Sequence, residues 1–193
     1  APNKEGTNKV HGSPLGKDEL AAAKKNLGIT YPPFEIPKET LDAWRAAGTR
    51  SANEFGAWQG RLAGLDPARR GEFERRLAGD LPAGLEAALD AYKQKLTADK
   101  PKVATRKSSQ MALDVINGAV PETVGGSADL TGSNLTDTPQ TKPFTDQDRF
   151  GRYMRYGIRE HGMAGIMNGM ALHKGLIPYG GTFLVFTDYA RPA

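Results

Sequence analysis

The sequence contains no cysteine, which removes a disulfide framework, a thiolate nucleophile and a Cys-ligated zinc from the possible chemistries. No apolar run approaches the roughly 20 residues of a membrane span. The opening APNKEGTNKV has no hydrophobic stretch of the kind that marks a signal peptide. A block of one charge sign is missing as well. The 26 Lys and Arg and 22 Asp and Glu are interspersed, and the resulting net +4 suits phosphorylated ligands while being weak evidence for nucleic acid. What is present is 193 residues, 38% of them hydrophobic, with 23 Gly and 13 Pro. That is enough apolar material for a core and too little bias for a fibrous or disordered chain.

The texture changes near residue 100. Up to that point Ala, Leu, Glu, Lys and Arg dominate and Gly or Pro interrupts them at short intervals, so a run of short helices is expected. Helices are predicted over Asp18 to Leu27, Glu39 to Ala47, from Pro67 after an Asp66 cap, and over Gly84 to Leu96 with a stripe of Leu85, Ala88, Leu89, Tyr92 and Leu96. After Pro101 helix and strand alternate. The pattern predicts a helix from Thr105 to Asn117, a strand around Val124, a loop from Gly125 to Thr138 and a helix from Arg159 to His173 with Met163, Ile166, Met167, Met170 and Ala171 on one face. A strand from Leu176 to Tyr179 follows, and Gly180-Gly181 leads into Thr182 to Phe186. This order is that of the first βαβ part of an α/β sheet.

Four constellations carry possible chemistry, and each has an ordinary structural reading beside it. His11 lies in VHGSPLG, where a loop imidazole can reach a ligand or simply face water. Arg106 in TRKSS and Ser133 in GGSADLTGSN offer a guanidinium fork and a hydroxyl that together can hold a phosphate; a surface Arg and a solvated turn would look the same. Asp129 in that loop is open to capping or ligand contact. Glu160 in GIREHGMAGIMNGMALH stands at a helix start, where a carboxylate is favoured by free amides alone. If buried among methionines, its charged form would be disfavoured and its pKa raised toward neutrality. His161 and His173 lack the i, i+4 spacing of a helical metal site, so no metal ligand is assigned. Phe183, Phe186 and Tyr189 recur every third residue, giving either a core stripe or a wall for a flat ring.

In this order, HGSPL, TRK, GGSADLTGSN, IREHGM and PYGGTFLVF resemble the transketolase family over nearly the whole chain. The resemblance implies a thiamine-diphosphate-binding fold: an α/β chain whose residues 1–100 form the helical tail of the diphosphate-binding domain plus a linker, and whose residues 101–193 begin the pyrimidine-binding domain. It implies that Glu160 hydrogen-bonds the aminopyrimidine of thiamine diphosphate, that Phe183, Phe186 and Tyr189 surround that ring with Phe186 stacking on it, and that His11 reaches cofactor and substrate. Asp129 would lie near the cofactor, and Arg106 and Ser133 would bind the phosphate of a sugar phosphate. The activity implied is ketol transfer between sugar phosphates in the pentose phosphate pathway, by a cytoplasmic homodimer with the cofactor at the subunit interface and no nucleic-acid or membrane partner. A divalent cation, Mg or Ca, would be held by residues outside this segment, since no GDG motif occurs here. The expectation is therefore an internal segment, inactive alone. Dihydroxyacetone synthase, deoxyxylulose phosphate synthase and a non-catalytic interaction piece stay open as alternatives.

Overall fold

A computed structural model describes all residues 1–193, and they separate into two compact units, 1–63 and 64–193. The first is helical, with α1 (Lys17–Asn26), α2 (Lys38–Thr49) and α3 (Ala52–Ala63). Glu19 and Ala23 are its only buried residues. The Glu19 carboxylate accepts from the Asn3 amide at 2.8 Å and from Asn3 Nδ2 at 3.0 Å, which fastens the N-terminal turns to α1. The helix starts follow local chemistry: α2 opens directly after Pro37, as the sequence leads one to expect.

The second unit runs α4 (Pro67–Ala78), α5 (Leu85–Asp99), α6 (Thr105–Ala119), β1 (Thr123–Ser127), α7 (Thr131–Asn134), β2 (Tyr153–Arg155), α8 (Glu160–His173) and β3 (Ile177–Gly181). A 3₁₀ turn (Leu184–Phe186) and the short α9 (Thr187–Ala190) complete it. Asp66 caps α4 by accepting from the amides of Ala68 at 3.0 Å and Arg69 at 3.2 Å, Pro67 occupies the first turn, and Gly79 ends the helix in a left-handed conformation. On α5, the predicted stripe of Leu85, Ala88, Leu89, Tyr92 and Leu96 is the half-buried face, and the helix packs against α6.

The three strands are all parallel, in the order β2-β1-β3. The central strand β1 is buried along its whole length. Here the sequence reading needs two corrections. Gly125 to Ser127 are strand, not loop: a Cβ on Gly125 would stand 2.2 Å from the Tyr179 ring, so the glycine serves close packing between neighbouring strands and not a turn. The stretch Thr131–Asn134 forms the one-turn helix α7. Strand β2 was not foreseen. It is held by Tyr153, 1% exposed, whose hydroxyl shares hydrogen bonds with Thr131 Oγ1 at 2.6 Å and Thr136 Oγ1 at 2.8 Å. Next to it the Arg152 guanidinium donates to the carbonyls of Asn117, Val120, Pro121 and Gln140, closing the turn before β1.

Helix α8 packs on β3 and α9, and Ala128, Tyr156 and Met163 form the buried core, with Met154 and Met167 against them. The seam of α8 is narrower than the sequence suggests. Met163, Met167 and Met170 face inward, whereas Ile166 and Ala171 are exposed, because the neighbours of α8 cover only one side of it. Gly180 and Gly181 close β3, and Thr182 stands just beyond its end.

Candidate cofactor site

Glu160 is the first residue of α8 and only 2% exposed. Its Oε1 accepts a hydrogen bond from Thr182 Oγ1 at 3.0 Å, and its Oε2 accepts one from the Tyr189 hydroxyl. The Glu160 main-chain amide in turn donates to the Tyr189 hydroxyl at 3.3 Å. The Tyr189 main-chain carbonyl lies 3.2 Å from His161 Nδ1. A carboxyl buried beside Met163 and Met167 ought to have a raised pKa on burial alone. The structure reverses that expectation: the Tyr189 hydroxyl has the largest influence, and with the main-chain amide and Thr182 it outweighs desolvation, holding Glu160 below the usual carboxylate range. Tyr189 is pushed upward by the same contact. The site therefore presents a carboxylate ion.

That carboxylate lines a cleft of about 390 Å³ floored by Met163, Ala164 and Met167 and bounded by Thr182, Ala190 and Arg191. Phe183 and Phe186 stack on each other with centroids 6.1 Å apart and planes 15° from parallel, and remain 44% and 37% exposed. They flank the Glu160 cleft in sequence but do not line it; the methionines do. Tyr189 contributes its hydroxyl to the carboxylate, a role the every-third-residue pattern did not reveal.

Arg106, in the first turn of α6, lines a second cleft with Ser109, Asn134, Thr136 and Thr182. Gly180 and Thr182 border both clefts, so the guanidinium side and the carboxylate side meet at the end of β3. Ser133 sits in α7 outside the lining of the Arg106 cleft. Asp129, exposed and at φ 60°, borders a separate polar hollow with Ser127, Thr131, Gly132, Arg155 and Gly157. His11 lies in an exposed turn of the first unit, with its amide donating to the Asn8 carbonyl at 3.0 Å. The structure thus gathers Glu160, Tyr189, Thr182 and, across Thr182, Arg106. Thr182 and Asn134 were given no role by sequence reasoning; their only signal is the small, polar character of the GGT and GSN stretches.

The residues present suit the pyrimidine end of thiamine diphosphate. Each oxygen of the buried carboxylate is engaged by one protein hydroxyl, which leaves lone pairs to accept from a ring N–H, and the apolar floor suits a flat heterocycle. No group of three or more His, Asp or Glu side chains is placed to hold a metal ion.

Comparison with known proteins agrees with that chemistry. The family model described as "Transketolase, thiamine diphosphate binding domain" matches residues 1–82, and "Transketolase, pyrimidine binding domain" matches 101–193. The chain is therefore built from parts of a thiamine-diphosphate-binding protein. It belongs to the transketolase family. It is 53% identical over its whole length to a transketolase of Cereibacter sphaeroides and 51% identical to one of Sinorhizobium medicae, spanning 29% and 28% of those relatives. Among solved structures, transketolase from Leishmania mexicana superposes with a TM-score of 0.75 at 38% identity, over 94% of this chain and 27% of that one. A transketolase complex with sedoheptulose-7-phosphate from Pichia stipitis gives 0.76 at 36%, over 95% and 28%. No helix is long and apolar enough to cross a membrane.

Proposed function

We propose that this chain supplies the carboxylate side of a transketolase active site, in a protein that moves a two-carbon ketol unit from a ketose phosphate to an aldose phosphate in the pentose phosphate pathway. The observation that carries this reading is the buried, ionised Glu160 at the head of α8, clamped by two hydroxyls and joined through Thr182 to the Arg106 cleft. Thiamine diphosphate, when bound, supplies the electron sink for breaking and making the carbon–carbon bond. Glu160 would accept a hydrogen bond from the pyrimidine ring nitrogen and hold a proton there. Phe186, with Phe183 stacked on it beside the cleft, would turn toward that ring, and Met163 and Met167 would exclude water beneath it. Arg106, with Ser133, would grip the phosphate at the far end of the sugar, so that binding energy away from the reaction centre orients the reacting carbonyl. His11 would contact substrate oxygens, and Asp129 would stand near the cofactor.

The sedoheptulose-7-phosphate complex of the Pichia stipitis relative supports a sugar phosphate as substrate. Sharing of the cofactor between two subunits of a homodimer, a cytoplasmic location, Mg or Ca bound by residues outside this segment, and inactivity of the 193-residue chain alone belong to the same reading. In full-length protein Glu160→Gln is expected to remove most ketol transfer and weaken thiamine diphosphate binding while leaving the melting temperature nearly unchanged. Wild-type turnover in that variant rejects the assignment.

A further inference from the structure

The geometry points to Thr182 as a positioning residue for the reaction: its hydroxyl pins one oxygen of Glu160 and so sets which lone pairs of the carboxylate face the cofactor cleft. This rests on the reading of Glu160 given above. Two hydroxyls engage the carboxylate, one per oxygen, Thr182 on Oε1 at 3.0 Å and Tyr189 on Oε2. With one contact on each side, the carboxylate plane cannot turn about its last bond without losing one of them. Tyr189 comes from the short α9, whereas Thr182 comes from the end of a sheet strand, the more rigid support.

The placement of Thr182 is over-determined. A Cβ on Gly180 would stand 2.7 Å from Met167 Sδ and 2.9 Å from Met163 Sδ, so the strand end lies close against the methionine side chains of α8. The Gly181 carbonyl accepts from the Ala128 amide at 3.1 Å and from Ser127 Oγ at 3.0 Å, which locks the strand end to β1. The next residue must then emerge at the N-terminus of α8, beside Glu160. Thr182 also borders the Arg106 cleft, the only side chain common to the linings of both. It stands where the phosphate-gripping side meets the carboxylate side, so its hydroxyl and methyl shape the passage between them.

Other titratable or charged groups around Glu160 are few. Arg159 and His161 flank it in the chain, with the Arg159 guanidinium donating to the Tyr156 carbonyl. Tyr189 belongs to α9, and Arg191 just after it lines the cleft. From β3 the only such group is Tyr179, whose hydroxyl donates to the Thr136 carbonyl and accepts from Asn117 Nδ2. None of them replaces the Thr182 contact on Oε1.

The test uses Thr182→Val, which keeps the branched shape and loses the hydroxyl, and Thr182→Ser, which keeps the hydroxyl. The Glu160 carboxyl is followed by carbon NMR of the glutamate-labelled 193-residue chain, with Glu160→Gln identifying its resonance. The titration midpoint is expected to rise in Thr182→Val, because a donor to the charged form is gone, and to stay at the wild-type position in Thr182→Ser. In full-length protein, Thr182→Val is expected to lower kcat roughly tenfold, the scale of one hydrogen bond to a charged group, with the KM for sugar phosphate little changed and Thr182→Ser near wild type. A wild-type midpoint in Thr182→Val, or equal displacement in both variants, overturns the positioning role. If the midpoint responds to Thr182 but Glu160→Gln leaves cofactor affinity intact, the contact is real and the reading of the site is what fails.

Discussion

The two units of this chain make secondary structure from similar residues but stabilise it differently. In residues 1–63 three helices carry almost no buried side chain, and large apolar groups such as Trp44 at 81% and Leu27 at 72% face solvent. In residues 64–193 a three-stranded sheet with one wholly buried strand gathers Val120, Val124, Tyr153 and Met163 into a core. In the first unit local signals, such as Pro37 before α2, mark the elements. Only in the second do burial and long-range hydrogen bonds fix side chains well enough to arrange a chemical site. Glu160, Thr182 and Tyr189, which span 30 residues of sequence, meet at hydrogen-bonding distance because β3 and α9 both pack on α8.

One substitution made in each unit tests that contrast most directly, and the larger effect belongs to the sheet. In Gly125→Ala the new Cβ comes within 2.2 Å of the Tyr179 ring, and that ring cannot swing away without losing hydrogen bonds to Asn117 at 3.2 Å and the Thr136 carbonyl at 3.1 Å. Overpacking of this kind costs about 1–3 kcal/mol and at times more. A clear drop in urea midpoint is expected, accompanied by loss of the β1–β3 cross-strand contacts in NMR spectra. Unchanged stability would mean the strands are not packed as closely as described.

Acidification should act on the first unit through Glu19, which the Asn3 side chain holds below its ordinary value, and on the second through three carboxyls. Glu72 is held down to about 2 by hydrogen bonds from Arg75 and Arg76. Glu122, 3% exposed, is raised by burial but brought below its ordinary value by the Arg75 guanidinium, which reaches both its oxygens at 2.8 and 3.0 Å. Glu160 is lowered as well. A carboxyl with a depressed folded pKa stabilises the fold above its unfolded value, and that contribution is lost as pH falls through the folded value. Stability of the second unit is therefore expected to fall between the ordinary carboxylate value of 4.5 and about 2, where Glu72 is the last to protonate. Arg75→Met removes the partner of both Glu72 and Glu122, so the variant is expected to be less stable at neutral pH and to lose less of its stability across that interval, since burial alone raises Glu122. Denaturant midpoints measured at steps across that interval check it, and an acid limb as steep in the variant as in the wild type would disprove the link.

Where the fold could be read from sequence, the cause was local. Asp66, Pro67 and Gly79 mark the ends of α4 by capping chemistry that acts within a few residues, and the apolar period of α5 exposes its buried face. The same holds for Glu160, whose place at a helix start is visible in the sequence. What could not be read depends on partners far along the chain. Strand β2 is only Tyr153–Arg155 and exists because β1 lies beside it. Gly125 reads as a loop until Tyr179 is known to lie against it. The direction of the Glu160 pKa was misjudged because a methionine-rich stretch signals desolvation, while the two hydroxyls that overcome it come from residues 182 and 189. Ser133 stands outside the cleft that Arg106 lines, since the short α7 turns that segment in a way composition does not show.

The smallest effect is the counterpart of the first, the same Gly to Ala change made at Gly56 within α3. A Cβ there meets nothing within 4 Å, and the residue sits in the interior of a 12-residue helix. Glycine in such a position costs about 0.5–1 kcal/mol relative to alanine, because it loses more backbone entropy on becoming helical. Gly56→Ala should therefore raise the helicity of residues 52–63 slightly and move the melting temperature up, the opposite sign to Gly125→Ala. Since no neighbour has to give way, the gain comes wholly from the unfolded chain having fewer conformations to lose. Circular dichroism at 222 nm during a thermal ramp measures both. A destabilised Gly56→Ala would show that α3 carries a packed face at that position, and the difference drawn between the two units would have to be redrawn there.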